Sequence, residues 1–222
     1  MTASKHFIIA IDGGSGTGKS TTAKIIAKQL GITYLDTGAM YRAVTFAALE
    51  KGLPAEEGPA MDALLQELKL TFDAENHILI NGVSHEQEIR GMRVSNNVSI
   101  YCALPSVRAA MTKMQREIGA VSSCILDGRD IGTVVFPNAE YKFFMVTDVA
   151  VRAERRLKEL LEKGEQVTYE EVLANLTERD RLDSSRANAP LKKADDAIEI
   201  DTTHISIQQQ VQKILDYVGV VA

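Results

Sequence analysis

Phe7-Ile8-Ile9-Ala10-Ile11 runs through Asp12 into Gly13-Gly14-Ser15-Gly16-Thr17-Gly18-Lys19-Ser20, and this stretch decides the fold. The continuous apolar run reads as a strand buried on both faces, as in a parallel sheet. Gly13 to Ser20 fits the pattern G-x-x-x-x-G-K-[ST]. Ala23, Ile26, Ala27 and Leu30 then recur at helical spacing, and Gly31 stands where a C-cap belongs. A strand, a glycine-rich turn and a helix start together make a phosphate cradle. Glycines let the backbone approach phosphate oxygens with its N–H groups turned inward. The helix start adds unpaired donors and partial positive charge. The expected ATP-binding residues are therefore Gly13, Gly14, Ser15, Gly16, Thr17, Gly18, Lys19, Ser20 and Thr21, with Lys19 the catalytic cation on the β- and γ-phosphates. A hydroxyl here meets Mg²⁺. Ser20 fits the pattern, but Thr21 beside it leaves the choice open.

The rest of the chain alternates strands and helices. Ile32-Thr33-Tyr34-Leu35, Ser123–Leu126, Tyr141–Val146 and Ala197–Ile200 read as further strands. Thr168 with Glu171 forms a capping box ahead of Val172, Leu173 and Leu176. Ile207, Val211, Ile214, Leu215 and Val218 share one face of a final helix. This rhythm predicts an α/β P-loop fold of three layers with a five-stranded parallel sheet. One segment breaks it. Within residues 61–100, Leu68–Phe72 and His77–Ile80 flank the polar Asp73-Ala74-Glu75-Asn76 and read as a hairpin, so the segment is an insertion in a single domain spanning 1–222. Gly52 to Gly58 reads as its connector.

Composition excludes several classes. The chain has 222 residues, 45% hydrophobic and 25% charged, which fits a soluble globular protein rather than a disordered or fibrous one. A net charge of −5 leaves no broad basic face for nucleic acid. No apolar run approaches the roughly 20 residues that cross a bilayer, and Met1 to His6 carries no signal-peptide pattern. Cys102 and Cys124 make no disulfide framework, and His6, His77, His85 and His204 show no metal-ligand spacing. The expectation is a cytoplasmic monomer with small-molecule partners.

Among P-loop classes, a GTPase needs an Asn-Lys-x-Asp guanine reader and a transporter ATPase a Leu-Ser-Gly-Gly-Gln signature, and both are missing. A small phosphotransferase remains, and its second substrate needs cations opposite Lys19. Arg42 follows the second strand and Arg129 the third, where loops gather at the ligand crevice. Asp127 closes the third strand, the place of a carboxylate that organises Mg²⁺, although a turn aspartate reads the same way. Arg152, Arg155 and Arg156 fall on one helical face, with Arg179, Arg181 and Arg186 on the next helical stretch. Residues 150–187 thus read as an arginine-rich helical lid, Arg156 being counted with the ATP-binding residues. Glu154, Glu159 and Glu162 on the same helix equally allow a solvated salt-bridge face.

Four blocks now carry a resemblance: Gly13–Ser20, Leu35-Asp36-Thr37-Gly38-Ala39-Met40-Tyr41-Arg42, Asp127-Gly128-Arg129-Asp130-Ile131-Gly132-Thr133-Val134-Val135-Phe136-Pro137, and Arg179-Asp180-Arg181-Leu182-Asp183-Ser184-Ser185-Arg186. The chain resembles bacterial cytidylate kinases over essentially its whole length. The resemblance implies transfer of the γ-phosphoryl group of MgATP to CMP or dCMP, with 61–100 as a small, β-containing NMP-binding insertion. It implies Thr37, Arg108 and Asp130 at the cytosine, and Ser99, Arg179 and Asp183 at the sugar. Arg42, Arg129 and Arg186 fall at the monophosphate, with Tyr41 lining the same pocket. Lys19, Arg129, Arg186 and Asp127 become the catalytic set and Ser20 with Asp127 the Mg²⁺ ligands. Relatives often carry serine where this chain has Thr37; both offer a hydroxyl. Residue patterns alone leave two alternatives: a kinase of another small metabolite, and a module that binds ATP without turnover.

Overall fold

The computed structural model describes residues 6–73, 75–162 and 164–219. In chain order its elements are β1 (Ile8–Gly13), α1 (Lys19–Leu30), β2 (Thr33–Asp36), α2 (Thr37–Glu50), α3 (Pro59–Glu67), β3 (Leu70–Phe72), β4 (Ile78–Ile80) and β5 (Val83–Ser84). Next come α4 (Glu86–Arg90), α5 (Met92–Tyr101), α6 (Pro105–Gly119), β6 (Cys124–Gly128), a π-helical turn (Ile131–Val135), β7 (Tyr141–Val146), α7 (Val149–Glu162), α8 (Tyr169–Ser185), β8 (Ile198–Asp201) and α9 (Ile207–Val218). The chain divides into two compact units, one formed by the residues up to Tyr34 and from Gly119 onward, the other by Leu35–Ile118.

The five-stranded parallel sheet has the order β2-β6-β1-β7-β8. Every residue of central β1 is buried, as its unbroken apolar run predicts. Side chains alternate along it. Ile9 and Ile11 join Ile125, Phe143, Met145 and Ile200 in a core closed by Ala23 and Ile26 of α1 and Val211 and Ile214 of α9. Ile26 and Ile214 are fully buried, each contributing about 1.5–3 kcal/mol of transfer free energy. Ala10 and Asp12 point the other way. β6 runs past the predicted Leu126 to Gly128, so Asp127 is paired with Ile11 of β1 rather than standing at a frayed end.

The caps follow the sequence. Gly31 ends α1 at φ 63°, and Thr168 with Glu171 forms the expected capping box on α8. A second box, Ser206 with Gln209, starts α9.

In the second unit β3 and β4 form the predicted hairpin, Leu70 opposite Ile80 and Phe72 opposite Ile78. Asp73 holds its turn, accepting from the His77 backbone N–H at 2.7 Å; Ala74 of the same turn lies outside the described residues. A third strand, β5, pairs with β4 and was not anticipated. Asn81 and Gly82 join them at φ 52° and 85°, the positive values that a two-residue hairpin connection requires. No described helix is long and apolar enough to cross a membrane. Both cysteines are free and buried.

Candidate active site

The loop between β1 and α1 has a backbone that only glycine permits at its first position. A Cβ on Gly13 would sit 2.2 Å from the Met145 carbonyl oxygen, at φ 147°. Past Gly18 the chain enters α1, and Lys19 is buried at its start. Its ammonium donates to the Gly14 carbonyl at 2.6 Å and to the Thr17 hydroxyl at 3.3 Å. Burial, and then the nearby Arg129 charge, push its pKa well below the ordinary lysine value, while Asp127 and Asp12 oppose the shift. A cation held in that state gains most from an approaching anion.

Ser20 donates to Asp127 Oδ2 at 2.7 Å, and the Tyr34 hydroxyl donates to Oδ1 at 2.8 Å. A buried carboxylate beside a hydroxyl is a set of hard oxygen donors that suits Mg²⁺. Thr21 is exposed, whereas Ser20 makes the contact with Asp127.

Beyond β6 the arginines and aspartates interlock. Arg129 Nε donates to Asp183 Oδ2 at 2.9 Å. Arg186 lies 3.5 Å from Asp130 Oδ1 and 3.8 Å from Asp183 Oδ1. Burial tends to raise the Asp183 pKa, but Arg129, Arg179 and Arg186 outweigh it and hold the carboxyl below its ordinary value of 3.8. Arg129 itself is raised: burial works against its charge, and the neighbouring Asp183, Asp180 and Asp127 win.

The residues on α7 and α8 divide by role. Arg152 is buried and donates to the Ser15 carbonyl at 3.0 Å and the Thr147 carbonyl at 3.1 Å, with Asp180 at 2.6 Å. It braces the phosphate loop. Arg155 donates to the Thr202 carbonyl at 2.9 Å. Arg156 meets Glu159 at 3.0 Å, and Arg181 forks onto Glu178 with both side chains exposed. Arg156 thus has one of the acidic partners that the helix offers, whereas Arg179 and Asp183 of α8 are buried.

In the second unit, Thr37, Tyr41 and Arg42 lie on α2, Ser99 on α5 and Arg108 on α6. All but Arg42 are buried. Arg42 Nη1 donates to the Ile89 carbonyl and the Ser95 hydroxyl, both at 3.0 Å. The Arg108 guanidinium stacks over the Tyr41 ring at 5.4 Å and donates to the Cys102 carbonyl at 3.3 Å. Asp36 caps α2, accepting from the Ala39 N–H at 2.8 Å, and pairs with Arg90 at 3.0 Å.

A family model described as cytidylate kinase matches residues 9–219. The cytidylate kinase of Clostridioides difficile is 45% identical over 96% of this chain and 99% of its own length. That of Bacillus pumilus is 47% identical, covering 96% of each. The chain belongs to the cytidylate kinase family. Among solved structures, shikimate kinase from Bacteroides thetaiotaomicron covers 96% of this chain and 99% of its own at TM-score 0.50 and 12% identity, which is a likeness of fold alone.

For a cytidylate kinase, the phosphate loop, Asp127 and the Arg129–Asp183–Arg186 cluster lie in the first unit, and Thr37, Tyr41, Arg42, Ser99 and Arg108 in the second. Sequence reasoning missed the contact of Arg152 with the phosphate loop and the hydroxyl of Tyr34 on Asp127.

The Asp183 shift has a measurable consequence. A carboxyl with a folded pKa below 3.8 adds stability above that value and loses it as pH falls through the folded value. Asp183→Asn is expected to flatten the fall of Tm below about pH 4. An acid limb as steep as in the parent would contradict the pairing.

Proposed function

We propose that this cytidylate kinase transfers the γ-phosphoryl group of MgATP to the α-phosphate of CMP or dCMP, giving CDP or dCDP and ADP. One observation carries the reading beyond ATP binding: three buried or half-buried arginines, Arg129, Arg179 and Arg186, converge on Asp183 in the unit that holds Lys19. A site that only holds ATP has no use for a second cluster of phosphate-binding cations. We assign Arg42, Arg129 and Arg186 to the monophosphate, Ser99, Arg179 and Asp183 to the sugar, and Thr37, Arg108 and Asp130 to the cytosine, with Tyr41 beside Arg108. The phosphate loop from Gly13 to Ser20 holds ATP, and Arg156 joins it from α7. Residues 61–100 act as the insertion that takes the monophosphate and 150–187 as the lid.

Transfer is direct and in line. The acceptor phosphate oxygen is already anionic, so no strong base is needed, and Lys19 with the arginines positions both phosphates and offsets the charge that develops between them. Closure of the lid helices excludes water that would otherwise accept the phosphoryl group. Ser20 and Asp127 would hold Mg²⁺, whose charge would offset that of the ATP phosphates.

Ser20→Ala is accordingly expected to raise the Mg²⁺ concentration for half-maximal activity about tenfold, and Ser20→Thr to restore it. An unchanged Mg²⁺ titration would remove Ser20 from the site. Two buried free thiols fit a reducing cytoplasm, and Cys124, with its pKa pushed up to about 12 by burial, stays unreactive there. We take the monomer as the working form. ADP formation that depends on added CMP or dCMP tests the reading as a whole, and ATP binding without it would leave only the binding module.

A further inference from the structure

Asp12 stands directly before the phosphate loop, yet its side chain faces elsewhere. It lies on the opposite side of β1 from Ile9 and Ile11, and its Oδ1 accepts the Ile131 N–H at 2.8 Å and its Oδ2 the Gly132 N–H at 2.8 Å. Those are the first two residues of the π-helical turn that comes after Arg129 and Asp130. The carboxylate is buried, with 4% of its surface exposed. A buried carboxylate is costly unless its oxygens are satisfied, and here both are satisfied by adjacent backbone donors of one turn.

The neighbours leave that turn little freedom. A Cβ on Gly132 would meet the Lys142 side chain at 3.3 Å and Asp12 Oδ2 at 3.4 Å. Lys142 is pinned by Asp196 at 2.7 Å and by the carbonyl of Pro137, two residues past the turn. Asp12 and Lys142 therefore grip the two ends of one short connector, whose entry carries Arg129 and Asp130.

We propose that Asp12 is a positioning residue for the acceptor nucleotide: by clamping the N–H groups of Ile131 and Gly132 it sets Arg129 and Asp130, and it acts on acceptor binding and base choice rather than on ATP. The inference rests on the reading of Arg129 and Asp130 as acceptor contacts. Its sequence position would have assigned it to ATP, and the bonds it makes assign it to the other substrate. The ionised form is the one that accepts from both donors. Burial pushes the Asp12 pKa up to about 6, the two backbone bonds and Lys19 work against that rise, and Asp130 adds to it, so the group remains a carboxylate at pH 7.5.

The discriminating experiment is steady-state kinetics of Asp12→Asn at pH 7.5, with ATP and the acceptor varied separately. Asparagine keeps the size but replaces one acceptor with a donor that faces an N–H. The expected result is a KM for CMP raised about tenfold, a several-fold narrower CMP-to-UMP ratio of kcat/KM, and a KM for ATP within about twofold of the parent. Gly132→Ala perturbs the same clamp from the turn side without touching Asp12, and is expected to shift the same parameters in the same direction by a smaller factor. It covers the case in which Asp12→Asn does not fold. A KM for ATP that rises as much as that for CMP, a fall in kcat alone, or no change in either KM would overturn the proposal. The acceptor is first established on the parent enzyme. If that acceptor is not a cytidine nucleotide, the functional reading fails while the clamp is still tested by the same split with the acceptor found.

Discussion

Lys19→Ala lowers kcat by about 10³-fold or more, equivalent to about 4 kcal/mol of transition-state stabilisation, while the protein stays folded. The resting partners of the ammonium set the size of this effect. Lys19 donates to the Gly14 carbonyl and the Thr17 hydroxyl of its own loop. Neither partner is charged, and burial with Arg129 nearby disfavours the cation, which the carboxylates Asp127 and Asp12 only partly offset. The charge is therefore held ready at some cost to the fold. In the proposed reaction it is repaid when the terminal phosphates of ATP arrive and negative charge moves between donor and acceptor oxygens. Removing the ammonium deletes an interaction that strengthens in the transition state, so kcat falls more than KM rises. Removing a disfavoured buried cation should leave Tm within a few degrees of the parent. Turnover within tenfold of the parent would exclude Lys19 as the catalytic cation.

Asp130→Asn narrows, and at its largest reverses, the preference for CMP over UMP. Asp130 is buried, with Arg186 3.5 Å from its Oδ1. Cytosine presents an N4 amino donor where uracil presents the O4 acceptor. A carboxylate accepts from the first and confronts a lone pair in the second, and a buried group left unpaired in this way costs about 1–3 kcal/mol, or roughly 5- to 150-fold in kcat/KM. The asparagine amide offers a donor to O4, so activity with UMP should rise as activity with CMP falls. Arg186 keeps a neutral oxygen as partner, which limits the loss of its position. A ratio unchanged in this variant would mean that another side chain reads the base.

Much of this was legible in the chain because the decisive features are local. An apolar run, glycines at fixed spacing and a helical apolar face specify β1, the phosphate loop and α1 within about 25 residues of each other, and each obeys short-range physics. Capping residues worked for the same reason at Gly31 and Thr168. The missed strand β5 was legible too, since Asn81-Gly82 is the dipeptide that closes a two-residue hairpin; at two residues the strand has no periodicity of its own. Direction, by contrast, is not written in the spacing. Spacing puts Arg152, Arg155 and Arg156 on one face, but only packing decides that Arg152 turns to the Ser15 carbonyl and Arg156 to Glu159. Asp12 is the sharpest case. Adjacency ties it to the phosphate loop, whereas strand alternation turns its carboxylate to a turn more than a hundred residues along the chain.

The central claim is the transfer of phosphate from ATP to a cytidine monophosphate. Its most direct test is ADP production from MgATP with CMP, dCMP, UMP, AMP, GMP and shikimate offered separately to the purified protein. The account predicts fast turnover with CMP and dCMP, weak turnover with UMP and background with the others. Fast turnover with any other acceptor and none with CMP would contradict it, as would tight ATP binding with no acceptor-dependent ADP at all.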